Sequence, residues 1–103
     1  MPHAARVALE SILESAERVD LMAPAVGCTL FLTDRRLVLV REGASHRPKT
    51  GVRSWLLDRD LVLRVGVAYH ATNRLVIVRA KRSASVFVTA AQLGDVKLLI
   101  AEI

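Results

Sequence analysis

The sequence predicts a mainly β domain, an antiparallel barrel or sandwich of about six or seven strands with a helix at each end. Several short apolar runs are separated by polar turns, which is typical of antiparallel sandwiches and barrels. Apolar stripes at helical spacing precede the first run and follow the last. The 103 residues contain no internal repeat and no linker, so residues 1–103 are expected to form a single domain around one core.

Residues 3–20 are predicted to form an amphipathic helix. One side is apolar, and the charged residues are three glutamates and an aspartate against two arginines. Anionic lipid attracts basic helices rather than acidic ones, so this composition favours packing on the chain itself or on a protein partner. The candidate association surface of this helix consists of Leu9, Ile12, Leu13 and Ala16.

The stretch from residue 28 to residue 41, CTLFLTDRRLVLVR, predicts a β-hairpin. Two apolar runs rich in β-branched residues, 28–33 and 37–41, flank the polar turn TDRR. The polar residues 42–53, which include two glycines and a proline, are predicted to form a loop. Strands are then expected over 54–57, 61–68, 75–80 and 85–89, with turns at 70–73 and 81–83, and residues 21–89 hold all the strands of the domain.

Residues 90–103 are predicted to form the last helix. Thr89 and Gln92 have the spacing of a capping box, in which the Thr89 hydroxyl accepts from the residue-92 amide and Gln92 reaches back. An antiparallel barrel has an open end that this helix can close. The apolar stripe that would pack there consists of Leu93, Val96, Leu99, Ile100 and Ile103.

The composition favours a binding protein inside the cell. One cysteine allows no intrachain disulfide, and glutamates interrupt any signal-peptide pattern near the N-terminus. No uncharged run has the roughly 20 residues of a membrane-spanning helix. Apolar residues make up 52% of the chain, with a mean hydropathy of +0.35, so part of this apolar surface is expected to be covered by another chain or a membrane. The net charge of +5 permits an acidic partner.

The hairpin resembles the one found early in bacterial pleckstrin-homology-like and GRAM-like domains, in the residues TLFLTDRRLVLV at 29–40. The spacing from RLVIV at 74–78 through SVFV at 85–88 to the helix at 90–103 supports the resemblance, which covers about residues 19–103. It implies seven strands in two nearly orthogonal sheets, a first strand near 19–25 made irregular by Pro24, and a helix that caps one end. It also implies a binding module without catalytic activity.

In members that bind phosphoinositides, basic residues in the loop after the first strand hold the phosphates. Here that loop is APAVG at 23–27 and has no Lys or Arg, which argues against a shaped inositol-phosphate site. The resemblance instead places the loops between strands three and four and between strands six and seven at one rim. The candidate anion-binding residues of these loops are Arg47, Lys49, Arg53, Lys81 and Arg82.

The residue patterns of enzymes and cofactor proteins are absent. His3, His46 and His70 are scattered and have no partner at metal-ligand spacing. Cys28 begins an apolar strand and has no adjacent base, and the segment Asp58-Arg59-Asp60 is expected to be a polar turn. The five glycines are isolated and form no phosphate-binding loop. No catalytic residue, cofactor or metal is therefore predicted.

Nucleic acid is a disfavoured partner despite the pI near 10.4. Single-strand binders add stacking aromatics to a basic groove. Phe31 and Phe87 are expected in the core, and the more exposed Trp55 and Tyr69 are not interleaved with basic residues. The leading expectation is a cytoplasmic scaffold domain for protein–protein interaction, including self-association. The alternative is a peripheral adaptor at the anionic inner membrane surface, bound through the basic loops.

Overall fold

The chain forms two antiparallel sheets and a C-terminal helix. The computed structural model describes residue 13 and residues 16–42, 51–67 and 72–103. The helix α1 is Leu93–Ala101. The strands are β1 (Val19–Ala25), β2 (Cys28–Thr33), β3 (Arg36–Arg41), β4 (Val52–Leu56), β5 (Leu61–Val67), β6 (Thr72–Arg79) and β7 (Arg82–Thr89). The predicted mainly β class with a C-terminal helix is thus confirmed.

Each sheet joins strands that are consecutive in the chain. Strands β1 to β4 form a four-stranded sheet in that order, and β5 to β7 form a three-stranded sheet. Every pairing is antiparallel. The turn between β1 and β2 ties the sheets together, because the Val26 amide donates to the Phe87 carbonyl of β7 at 2.9 Å. This contact closes one corner of the barrel.

The core lies between the two sheets, as the alternation of side chains along the strands dictates. From the four-stranded sheet it receives Leu30, Leu39 and Trp55, and from the other sheet Leu75 and Ile77, all 2% exposed or less. Helix α1 adds Val96 and Leu99, both fully buried, and packs mainly against β1. The apolar stripe predicted for this helix therefore faces the core, except that Ile103 is 42% exposed.

A second apolar cluster lies on the outer face of the four-stranded sheet. Phe31, Val38 and Val40 are fully buried there, and Leu13, Met22 and Val52 pack against them. The sheet therefore has buried side chains on both of its faces. This explains why β2 reads as a continuous apolar run instead of an alternating one.

The helix predicted for residues 3–20 is wrong at its C-terminal end, while residues 3–12, 14 and 15 lie outside the described residues. Ala16 is in a turn with a left-handed φ of 67°, and β1 already begins at Val19. Asp34 provides the physical reason. Its amide donates to the Arg18 carbonyl and its Oδ1 accepts from the Arg18 amide, both at 2.9 Å. These backbone groups thus bond to the β2–β3 turn instead of to a helix.

Several predicted boundaries shift by two or three residues. The β6–β7 turn lies at Ala80 and Lys81 instead of 81–83, because Arg79 pairs with Arg82 across it. Strand β6 begins at Thr72, inside the predicted turn at 70–73. The irregularity of β1 lies between Val19 and Leu21 and not at Pro24.

The last helix is shorter than the predicted span 90–103. The Gln92 side chain does reach back and accepts from the Thr89 amide at 3.1 Å. The Gln92 amide, however, donates to the Thr89 backbone carbonyl at 3.0 Å rather than to the hydroxyl. This tight turn delays the start of α1 to Leu93.

Candidate functional site

Two arginines from different sheets meet at the single tryptophan. The Arg53 guanidinium lies 5.1 Å from the centroid of the Trp55 ring, and that of Arg82 lies 6.0 Å from it. Arg53 and Trp55 are two residues apart on β4, so both project toward the interior side of their sheet. Arg82 is the first residue of β7 and approaches the ring from the other sheet. The geometry is that of a double cation–π contact.

A hydrogen bond holds this arrangement across the gap between the sheets. Arg53 Nη1 donates to the backbone carbonyl of Ser83 at 3.2 Å. Strand β4 is therefore tied to the beginning of β7, and Arg53 is fixed in direction by a ring on one side and a carbonyl on the other. A preorganised arginine loses less side-chain entropy when it binds a ligand than a free one does.

The described residues give this rim a positive charge. Lys81 and Arg82 are exposed, and Arg53 is half-buried. Among the residues that the structure describes, no ion pair joins any of these three side chains to a carboxylate. Arg47 and Lys49, the other two predicted anion-binding residues, lie outside the described residues. Arg53 was predicted in a loop and instead belongs to β4.

Trp55 is buried, although the sequence suggested that it could be exposed. Its side chain is 2% exposed, and its indole Nε1 has no hydrogen-bond partner among the described residues. Because Arg53 and Trp55 are two residues apart, the sequence could have predicted that their side chains share one face of a strand. The contribution of Arg82 could not be found in this way, since it comes from a distant part of the chain.

The predicted association surface is divided. Leu9 and Ile12 lie outside the described residues, whereas Leu13 packs on the outer cluster of its own chain. Ala16 is exposed in the turn before β1. The described part of this surface is therefore partly used within the chain.

The other candidate groups are structural. Arg79 Nε donates a bifurcated hydrogen bond to Asp58 Oδ1 at 3.2 Å and Oδ2 at 3.1 Å, and Arg79 Nη2 donates to Oδ2. This pairing lowers the pKa of Asp58. The segment 58–60 forms the predicted polar turn, with the Asp60 amide donating to Asp58 Oδ1 at 3.0 Å. Burial raises the pKa of the Cys28 thiol to about 11, so the thiolate is disfavoured.

Two further features of the described surface bear on binding. An open cleft of about 450 Å³ next to the β2–β3 turn is lined by Leu21, Leu32 and Leu57, and by Arg18, Asp20, Asp34 and Glu102. Phe87, which was predicted to lie in the core, is instead 44% exposed on the outer face of the three-stranded sheet.

Within residues 16–42, 51–67 and 72–103, no helix has the length and apolar character needed to cross a bilayer.

Comparison with known proteins gives a result at the level of the fold. No protein-family model matches the chain, and no curated protein matches it. Among solved structures, the chain is similar to the pleckstrin homology domain from Shewanella amazonensis SB2B, with a TM-score of 0.61 and 15% identity over 97% of this chain and 95% of that one. The predicted resemblance is thereby confirmed for the fold.

Proposed function

We propose that this chain, which has the fold of a pleckstrin homology domain, is a non-catalytic binding domain that attaches to an anionic surface through its basic rim. The basic rim consists of Arg53, Lys81 and Arg82, together with the predicted anion-binding residues Arg47 and Lys49, which lie outside the described residues. One observation carries the proposal. Two guanidinium groups converge on one tryptophan ring without a carboxylate partner among the described residues.

Burial of charge explains why this arrangement favours a ligand. A protein that needs arginine only for solubility can place it anywhere on the surface, with water around the whole guanidinium group. Arg53 is instead half-buried between a ring and a carbonyl, where part of its hydration is lost. An anion bound at the rim would interact favourably with the positive charges of Arg53 and Arg82 at the same time.

An anionic bilayer is the surface that fits best. Each basic residue near such a bilayer contributes about 1 kcal/mol, so three to five residues suffice for weak reversible attachment. The loop APAVG at 23–27 has no cation, and therefore no shaped headgroup site is proposed. At its tip Val26 is 49% exposed, an apolar side chain that can enter the headgroup region. This proposal places the domain in the cytoplasm at the inner membrane surface.

The absence of catalysis is part of the same proposal. Cys28, a potential nucleophile, lies on β2 and is only 5% exposed. Burial raises the pKa of its thiol, so the thiol stays protonated and is a poor nucleophile. Asp58 and Asp60 lie in a turn in which Asp58 is already paired with Arg79. In the described part of the chain, no three metal-binding side chains come together.

Vesicle co-sedimentation tests the proposal. The full chain is expected to sediment with vesicles of phosphatidylglycerol and phosphatidylcholine at low salt, to remain in solution with pure phosphatidylcholine, and to dissociate as salt is added. The double variant Lys81→Glu with Arg82→Glu should lose most of this binding. The matched control, Arg59→Glu with Lys97→Glu, changes the net charge equally at exposed positions away from the rim and should bind more strongly than the rim variant.

Two results would contradict the proposal. One is a wild-type chain that ignores anionic vesicles at low salt. The other is equal loss of binding in the rim variant and in the control, which would mean that net charge alone attracts the chain. Thermal unfolding of both variants shows whether a loss of binding reflects a loss of the fold.

Protein–protein interaction is the second candidate function. It is favoured by large apolar side chains that remain exposed on the three-stranded sheet, namely Val62 at 41% and Phe87 at 44%. Self-association through the N-terminal segment stays a prediction, and the packing of Leu13 on its own chain removes part of its support. Sedimentation equilibrium of the full chain would test it.

A further inference from the structure

The outer faces of the two sheets differ in how their apolar side chains are covered. On the four-stranded sheet, Phe31, Val38 and Val40 are fully buried by the chain itself. On the three-stranded sheet, Phe87 and Val62 remain 44% and 41% exposed. The same chain thus covers one apolar sheet face and leaves part of the other in contact with solvent.

The exposed sheet face is defined by the outward positions of β5, β6 and β7. Across the strands these positions form three rows: Val62–Val78–Ser83, Arg64–Val76–Ser85 and Gly66–Arg74–Phe87. Four apolar side chains are therefore interleaved with two arginines. The segments LVLRVGV, TNRLVIVR and RSASVFVT contain no Asp, Glu or Lys. The charge of this face is positive and comes from arginine alone.

The two arginines are placed for recognition of carboxylates. Arg64 and Arg74 occupy diagonally adjacent positions, because Gly66, two residues after Arg64, pairs with Arg74. Such diagonal neighbours are about 7–8 Å apart. The guanidinium of Arg74 lies 5.4 Å from the centroid of the Phe87 ring, which directs it over the face. Gly66 has no heavy atom within 4 Å of the position of an added Cβ, so the space between the arginines is open.

We propose that this sheet face binds an acidic, amphipathic segment of another protein. Acidic side chains two residues apart on an extended segment are separated by about 7 Å, which matches the spacing of Arg64 and Arg74. Apolar residues on the same side of the segment, two positions before the first acidic residue and two after the second, would cover Phe87 and the neighbouring valines. Arginine is suited to this role because its planar group binds a carboxylate with two parallel hydrogen bonds.

The charge and composition of the face argue against two other occupants. A second copy would bring its own Arg64 and Arg74 against the same residues with no acidic side chain to meet them, so like charges would oppose the contact. A bilayer is disfavoured because the face has no lysine, and because its arginines lie between apolar side chains instead of around them. Enrichment in arginine and aromatic residues with depletion of lysine is the composition of protein interfaces.

This inference rests on the protein-binding candidate and concerns a different surface from the basic rim. Its test therefore uses residues outside the rim. A fluorescent peptide serves as the probe: two glutamates at alternate positions are flanked, on the same side of the extended segment, by apolar residues, and serine and glycine occupy the intervening positions. Two matched peptides replace its glutamates by lysine or its apolar residues by serine.

Fluorescence anisotropy and ¹⁵N-resolved NMR of the full chain then give the outcome. We expect the acidic amphipathic peptide to bind, both matched peptides to bind more weakly, and shifts to appear at Val62, Arg64, Val76 and Phe87. The variant Arg64→Glu should weaken binding at least about tenfold, and Phe87→Ser should weaken it as well. Arg59→Glu, with the same charge change in the exposed turn before β5, should have a smaller effect.

Four results would overturn the inference. The first is absence of peptide binding, and the second is binding that shifts the rim residues alone. The third is anionic vesicles that shift the sheet face, which would assign it to a bilayer. The fourth is shifts on this face that depend on protein concentration without peptide, which would assign it to a second copy. A chain that binds vesicles at the rim but no peptide would retain the proposed function and lose this inference.

Discussion

Single side chains explain why the most recognisable part of the sequence is structural. The Thr33 hydroxyl accepts from the amides of Arg35 and Arg36, at 3.1 and 2.9 Å, and donates to Glu17 Oε2 at 2.6 Å. Arg36 binds both carboxylate oxygens of Glu17, at 2.7 and 2.9 Å. The TDRR turn thereby anchors the residues before β1. The residues that carried the resemblance thus report on the fold and not on a ligand.

The substitution Glu17→Gln should strongly lower the free energy of unfolding. The Glu17 side chain is fully buried and that of Arg36 is 14% exposed, so the variant removes the negative charge of a buried ion pair. Loss of one partner from such a pair costs about 3–5 kcal/mol. Urea denaturation measures this change in the free energy of unfolding, and the variant Asp20→Asn serves as the control. Asp20 pairs with Arg18, which is 73% exposed, so its loss should cost about 1 kcal/mol or less. Equal effects would contradict the structure.

Cys28 gives a prediction on pH. Burial raises the pKa of its thiol to about 11, above the value of about 8.5 for an unfolded chain. The stabilisation from keeping this proton is fully present below about pH 8.5 and is lost as the pH rises toward the folded value. At mildly alkaline pH, a thiol reagent should therefore label the folded chain much more slowly than the chain in denaturant. Equal labelling rates would show that Cys28 is accessible.

At the scale of elements, sequence patterns correctly predicted the strands and the helix whose formation depends on residues close together in the chain. The β2–β3 hairpin lies where its two apolar runs and polar turn placed it. The last helix followed from its stripe, although the backbone bond between Gln92 and Thr89 delayed its start. The predicted helix at 3–20 extended too far toward β1, because helical spacing alone does not show where a helix ends. The hydrogen bonds between Arg18 and Asp34 join distant parts of the chain, so no local pattern could predict them.

A pair of leucines on α1 tests the packing of the last helix. Leu99 is fully buried, whereas Leu98 is 62% exposed. Replacement of Leu99 with alanine should lower the free energy of unfolding by about 2–5 kcal/mol. The same replacement at Leu98 should change it by about 0.5 kcal/mol or less. Thermal or urea unfolding of both variants is the measurement, and an unchanged midpoint for Leu99→Ala would refute this packing.

At the scale of the whole molecule, the candidate site depends on how the sheets meet. Arg53 and Arg82 are 29 positions apart in the sequence and belong to different sheets, so no local pattern could join them. The resemblance placed their loops at one rim, which is a property of the fold. It did not indicate that both guanidinium groups contact the Trp55 ring. The exposed Phe87 was also missed, because an apolar residue in a strand predicts burial unless the opposite face is known to be open.

The rim around Trp55 is proposed to meet an anionic surface. The most direct measurement follows the indole N–H resonance of Trp55, which is unique because the chain has one tryptophan. Nanodiscs with phosphatidylglycerol should shift this resonance, because an anionic group that binds Arg53 and Arg82 changes the electric field at the ring beneath them. Nanodiscs of phosphatidylcholine should not, and added salt should reverse the shift. An indole resonance that stays unchanged while the chain binds anionic nanodiscs would contradict the account.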